Sequence, residues 1–291
     1  MADHLHPTII TLDGLPLFVL AAGENRLPVV ILHGFASSAI AWQPVIRALA
    51  ADRLVVAYDR PGFGLTRVPI DRWHGLDPYA PSTQVPIALA LLDHLGIERC
   101  VVLGHSMGGR FAAALAQAVP ERVAGLVLVA PAWESPSAPR LAPLVRSPVS
   151  SALGRRLLRL ISPLALRLAQ RAIWAGPPPA GGIDQSSVAA SLVGWDTALW
   201  RLTAATLAEA HATPPEALVV PTLVMLGARD RIVPPSLTLQ LVERWRLRGC
   251  SARVEHFERS GHLPHIEEFE RFIAVLRTFL AEVEDETTPH R

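Results

Sequence analysis

The chain contains no lysine: all 27 of its basic residues are arginine. That absence excludes a Walker A phosphate loop and any lysine Schiff base, both of which need an ε-amine. Cysteine is almost absent as well. Cys100 and Cys250 lie far apart, match neither a disulfide framework nor a metal-ligand spacing, and are expected to be free thiols. Charge excess is missing too, since 27 basic against 26 acidic residues leave a formal +1. No global field draws in polyanions, and nucleic acid is not an expected partner. No uninterrupted apolar run reaches about 18 residues, so no integral membrane segment is expected. The opening MADHLHPTIITLDG lacks the positive-then-apolar order of a secretory signal, which leads to the expectation of a cytoplasmic location.

What is present describes a globular α/β protein. Half of the 291 residues are hydrophobic and 18% are charged, enough for one large core with an insertion. Two β-branched or apolar runs flank Asp13–Gly14, the pair that suits a tight hairpin. Continuous apolar runs at 28–34 and 53–59 predict strands covered on both faces, and 99–106, 122–132, 221–230 and 252–262 supply further strands. Helical patterns fill the intervals at 39–50, 82–96 with Ser82 as N-cap, 107–119 and 235–247, followed by a closing helix through Phe269, Phe272, Leu276 and Leu280. Such β-α-β alternation with short joins predicts a mostly parallel central sheet with helices on both faces.

From 133 to 215 the alternation breaks. This interval is Pro-punctuated and helical, and predicts an inserted helical cap between two parts of a core at 1–132 and 216–291. Ser162–Pro163 is expected to end one cap helix and start the next. Eight arginines face only Glu134, Asp184, Asp196 and Glu209 here. Such a surface suits membranes or acidic partners, but its usual form is a helix whose solvated face carries the charge. The acidic tail EVEDETTPHR is expected to fray.

Within LGHSMGG, Ser106 has Gly104 two residues before it and Gly108 two after, between a predicted strand and a predicted helix. That is the context of a nucleophile elbow, where a strained turn projects the serine above the carboxyl edge of the sheet and crowds out neighbouring side chains. A serine hydroxyl needs a base, itself oriented by a carboxylate. Asp230 and His262 each follow a predicted strand and so emerge at the same edge, in the order Ser, Asp, His. His256 lies inside its strand pattern, His265 begins the last helix, and His33 and His105 belong to glycine-rich turns. Glu134 is the rival acid, and Asp59 is expected to fix its loop through main-chain hydrogen bonds. Backbone N–H groups of Phe35 and Met107 are the expected oxyanion donors.

Taken together, LHGF, YDRPGFGLT, GHSMGG, GARDRIVP and GHLPHIEE resemble the α/β-hydrolase superfamily, in its serine-nucleophile branch with a helical cap. The resemblance implies a Ser106, Asp230 and His262 triad that needs no cofactor or metal. Members that open epoxides or cleave carbon–halogen bonds carry aspartate at the elbow, where this chain has Ser106. The epoxide enzymes also use cap tyrosines, whereas Tyr58 and Tyr79 lie outside the cap. The carbon–carbon hydrolases of ring-fission products often show GNSMGG and a tryptophan after the histidine; here those places hold His105 and Leu263. A dinucleotide site is excluded because GFGLTR lacks the third glycine.

The expected function is therefore a carboxylesterase-like hydrolase working by acyl transfer. Its partner would be a small-molecule hydrophobic ester lying in a pocket lined in part by Trp174, Trp195, Trp200 and Leu263. A carbon–carbon hydrolase, a cofactor-free perhydrolase and a non-catalytic small-molecule binder remain alternatives.

Overall fold

In the computed structural model, the described residues are 5–24, 26–68, 75–133, 147–177, 195–209, 216 and 218–287. Asp13 and Gly14 both take positive φ, 47° and 85°, the paired left-handed geometry whose twist matches that of a hairpin. They join β1 (His6–Leu12) to β2 (Leu15–Ala22), with Leu12 opposite Leu15. The apolar runs become β3 (Val29–Leu32), β4 (Val55–Tyr58), β5 (Cys100–His105), β6 (Val123–Val129) and β7 (Thr222–Gly227), every residue of them buried. The half-buried β8 (Ala252–Phe257) closes the far edge. The eight strands form one sheet in the order β1-β2-β4-β3-β5-β6-β7-β8. Only β2 runs against its neighbours; from β4 to β8 all pairs are parallel.

Both faces of the sheet are covered, as buried parallel strands require. On one face pack α2 (Gln84–His94), α3 (Met107–Ala118) and α6 (Pro235–Leu247), the last through the fully buried Trp245. The other carries α1 (Gln43–Leu49) and α8 (Phe269–Thr287), with Phe272, Leu276 and Leu280 against Val29, Ile31 and Val127. The four-residue α7 (Pro264–Glu267) precedes α8. Between β6 and β7 the described residues hold two helices packed on each other, α4 (Pro148–Ile173) and α5 (Trp195–Ala208). No helix among the described residues is long and apolar enough to cross a membrane.

Three local expectations are corrected. Ser82 lies inside a short 3-10 turn, Pro81–Thr83, with Ala80 as its cap, because the Ser82 hydroxyl is engaged by Glu209 at 2.7 Å. The Ser162–Pro163 step does not divide α4, which continues through it. A proline removes one helical hydrogen bond, and the leucine-, alanine- and arginine-rich turns on either side carry the helix past that loss. The acidic tail is helical as far as Thr287, since Val283 is buried and Glu284 pairs with the buried Arg53 at 2.8 Å. Cys100 and Cys250 are buried free thiols.

Candidate active site

Ser106 joins β5 to α3 with φ 51° and ψ −122°, a conformation that a side chain other than glycine adopts only under strain. The flanking glycines are required by contact. A Cβ on Gly104 would stand 2.5 Å from the Gly108 oxygen, and one on Gly108 would run into the Leu32 carbonyl of β3. The turn is pinned by its own backbone: Ser106 N–H donates to Val129 at 2.9 Å, and the Ser106 carbonyl accepts from Gly109 at 2.9 Å and Ala132 at 3.0 Å.

Asp230, three residues beyond β7, and His262, five beyond β8, meet with Oδ2 and Nδ1 2.7 Å apart, both side chains buried. The other carboxylate oxygen of Asp230 accepts the N–H groups of Ile232 at 2.8 Å and Val233 at 2.9 Å, which aims Oδ2 at the imidazole. A carboxylate at Nδ1 fixes the proton there and leaves Nε2 as the acceptor. Ser106 and His262 belong to adjoining loops: His105 donates Nε2–H to the His262 carbonyl at 3.0 Å, and the two rings are 4.9 Å apart. No hydrogen bond among the described residues joins Ser106 Oγ to His262, a contact often long without substrate.

The competing histidines have other occupations. His256 is in β8. His265 stacks on Trp42 at 4.2 Å and 5° between planes. Burial, reinforced by the neighbouring histidines, lowers His265 well below the ordinary imidazole range and brings His105 to about 3. Both therefore stay neutral behind His262. Glu134, the rival acid, lies outside the described residues.

On the other side of Ser106 the turn after β3 closes in: a Cβ on Gly34 would stand 3.1 Å from Ser106 Cβ and 2.8 Å from His105 Nδ1. Main-chain N–H of Arg60 donates to His33 Nε2 at 3.0 Å, so the His33 proton sits on Nδ1, which donates to the Gly34 carbonyl at 2.8 Å. The buried Arg60 guanidinium also donates to the carbonyls of His33 at 3.2 Å and Gly34 at 3.3 Å. It lies 5.0 Å from each of the Phe63 and Phe111 rings, and burial lowers it to about 10. Held by two donors, the Gly34 carbonyl fixes the orientation of its own peptide plane, and the N–H of Phe35 points the opposite way in a trans amide. Among the described residues neither Phe35 N–H nor Met107 N–H, the first of α3, has a partner. Asp59 fixes its loop as expected, accepting the N–H of Ala39 and of Leu65, each at 2.6 Å. Burial pushes its carboxyl up to about 6.

The residues expected to line a pocket separate. Trp195 stands 6.3 Å from the ring of Phe35 and 6.5 Å from Phe63, in an apolar cluster with Ala36, Tyr79 and Leu202 that joins α5 to the turn after β3. Trp174 adjoins the histidine turn, where a Cβ on Gly261 would lie 2.9 Å from its carbonyl carbon. Leu263 is half-buried beside His262. Trp200 instead packs on Gly154 of α4 and holds the two helices together. A cleft of about 830 Å³ opens beside the Asp230 loop, lined by Trp133, Ile232, Val233, Leu237 and Leu241 and by none of the expected pocket residues.

Sequence reasoning missed the braces of the histidine turn. Glu267 Oε1 accepts Gly261 N–H at 2.8 Å while its Oε2 accepts Ala175 N–H at 2.8 Å. Glu268 accepts Arg259 N–H at 3.0 Å and the Ser260 hydroxyl at 2.7 Å. The available signal was two adjacent carboxylates closely following a Ser–Gly turn whose N–H groups need acceptors. Among the described residues, no group of three or more His, Cys, Asp or Glu could hold a metal ion.

A model of the alpha/beta hydrolase fold matches residues 28–269. The 2-hydroxymuconate semialdehyde hydrolase of Pseudomonas sp. (strain CF600) is 32% identical over 268 residues, 88% of this chain and 88% of its own. The dihydrolipoyllysine-residue acetyltransferase component of the acetoin cleaving system of Pseudomonas putida is 30% identical over 264 residues, which are 89% of this chain but 64% of that longer protein. A thermophilic esterase from Thermogutta terrifontis superposes with a TM-score of 0.75 at 23% identity, over 96% of this chain and 99% of its own, a likeness of fold.

Proposed function

The chain belongs to the α/β-hydrolase family, and on that footing we propose that it is a carboxylesterase-like serine hydrolase acting on small to medium hydrophobic esters. Ser106 Oγ attacks the carbonyl carbon as His262 Nε2 takes its proton. Asp230 steadies the imidazolium, and the N–H groups of Phe35 and Met107 receive the charge developing on oxygen. The tetrahedral adduct collapses, the alcohol leaves with the proton from His262, and water activated by the same imidazole releases the acid. Residues 133–215 act as the cap, with the exposed ring of Phe35, backed by the buried Phe63 and Trp195, offering apolar surface to the substrate.

The observation that carries this reading is the buried Asp230–His262 contact of 2.7 Å on the loop adjoining the strained Ser106. The test is hydrolysis of p-nitrophenyl butyrate with parallel fluorophosphonate labelling. Wild type turns over and labels, Ser106→Ala does neither, and Asp230→Asn loses on the order of 10⁴ in rate. A Ser106→Ala protein as fast as wild type overturns the assignment.

Carbon–carbon cleavage is the second reading, favoured by the 32% identity to the semialdehyde hydrolase over 88% of both chains. Assaying 2-hydroxymuconate semialdehyde beside the ester series separates the two, since both use the same serine and histidine but only one bond is broken efficiently.

A further inference from the structure

Helix α4 (Pro148–Ile173) carries five arginines and no acidic residue. Its inner side packs on α5: Gly154 meets the Trp200 ring, Arg155 reaches Thr197 at 3.4 Å and Arg159 pairs with Asp196 at 3.0 Å. A helix of that composition ordinarily buries its leucines and turns its charge to water. Here the leucines are outside. Leu153, Leu157, Leu160, Leu164 and Leu168 are between 54% and 78% exposed. At about 100° per residue they fall within a stripe of about 80° on the side away from α5. The exposed Arg156 flanks that stripe and Arg171 lies near its carboxyl end.

Five leucines aligned in water make a patch that marks a docking surface. Charge selects the occupant. In a pair of copies related by a two-fold axis, α4 would meet α4, and with no acid on the helix arginine would confront arginine. A bilayer bearing anionic lipid offers what both sets of side chains require, acyl chains for the leucines and negative headgroups for the guanidinium groups. We infer that the leucine stripe of α4 docks on the surface of an anionic lipid bilayer, the helix lying in the plane of the headgroups. This docking does not depend on which bond the active site cleaves.

The test is flotation of the full chain with phosphatidylcholine vesicles, with and without phosphatidylglycerol. Wild type is expected to float with the anionic vesicles, to release as salt is raised, and to ignore the neutral ones. The triple variant Leu157→Gln, Leu160→Gln, Leu164→Gln should bind the anionic vesicles roughly tenfold more weakly or worse, with unchanged circular dichroism and unchanged turnover of a soluble ester. Arg156→Glu, which leaves every leucine in place, should also weaken binding. Equal flotation with both vesicle types, or with neither, overturns the proposal. So does a wild-type dimer in light scattering that the triple variant dissociates, which would assign the stripe to a second copy. Strong protection of the outer α4 residues in the vesicle-free monomer would assign it to the chain's own cover and overturns the proposal equally.

Discussion

The guanidinium of Arg60 donates to the carbonyl oxygen of Gly34 across 3.3 Å, so a buried cation holds the peptide whose other end is the N–H of Phe35. A fixed amide is a preorganised dipole, and oxyanion donors act by not having to reorient. Arg60→Met keeps much of the apolar contact with Phe63 and Phe111 and removes the donors. It is expected to lower kcat about tenfold to a hundredfold with little change in KM. A variant that alters KM alone would show Arg60 to be a packing residue.

The strain at Ser106 separates stability from activity. Glycine adopts a φ of 51° without the penalty that any Cβ brings. Ser106→Gly and Ser106→Ala should be equally inactive, but the glycine variant should be more stable by about 1 kcal/mol in urea unfolding. Equal stabilities would mean that the turn is relaxed.

A Cβ at Gly108 collides with β3, whereas one at Gly96 meets nothing, although Gly96, unlike Gly108, sits at positive φ. Gly108→Ala is expected to cost at least about 2 kcal/mol or to prevent soluble expression. Gly96→Ala should cost only about 1 kcal/mol. Thermal unfolding of the two side by side gives the comparison.

Stability should fall in mild acid. Burial lowers His105 to about 3 and holds His33 and His265 well below their ordinary range, while all three titrate near about 6.5 in the unfolded chain. Below that pH the unfolded state binds more protons, so each histidine removes about 1.4 kcal/mol per pH unit until its folded value is reached. Asp59, raised to about 6, has the opposite sign. Its contribution is largest below its unfolded value and fades as pH rises through 6, so it cancels roughly one histidine over that window. Urea midpoints should therefore drop between pH 7 and pH 5. His265→Phe, which keeps the stack on Trp42, should make the drop shallower.

The sheet and the glycine-flanked turn at Ser106 were readable in the sequence because their requirements are local. A buried parallel strand must be apolar throughout, and an elbow must be bare on both sides of its serine, as Gly104 and Gly108 are. The longest-range supports were not readable, because they join residues remote in sequence. Arg60 reaches back 26 positions to Gly34, and Glu267 reaches 92 positions to Ala175. The orientation of α4 belongs with them. Periodicity identifies a leucine stripe, but only packing decides whether it faces protein or solvent. The acidic tail stays helical for the same reason, with Val283 buried in the core.

Glu267 spends one oxygen on the turn bearing His262 and the other on the residue just beyond α4. The His262 N–H donates to the Ile173 carbonyl at the end of α4 at 2.7 Å, so the carboxylate is one of two hinge pins. If α4 shifts against the sheet, either those hydrogen bonds open or the imidazole travels with the helix, so an event on the outer helix is mechanically audible at His262.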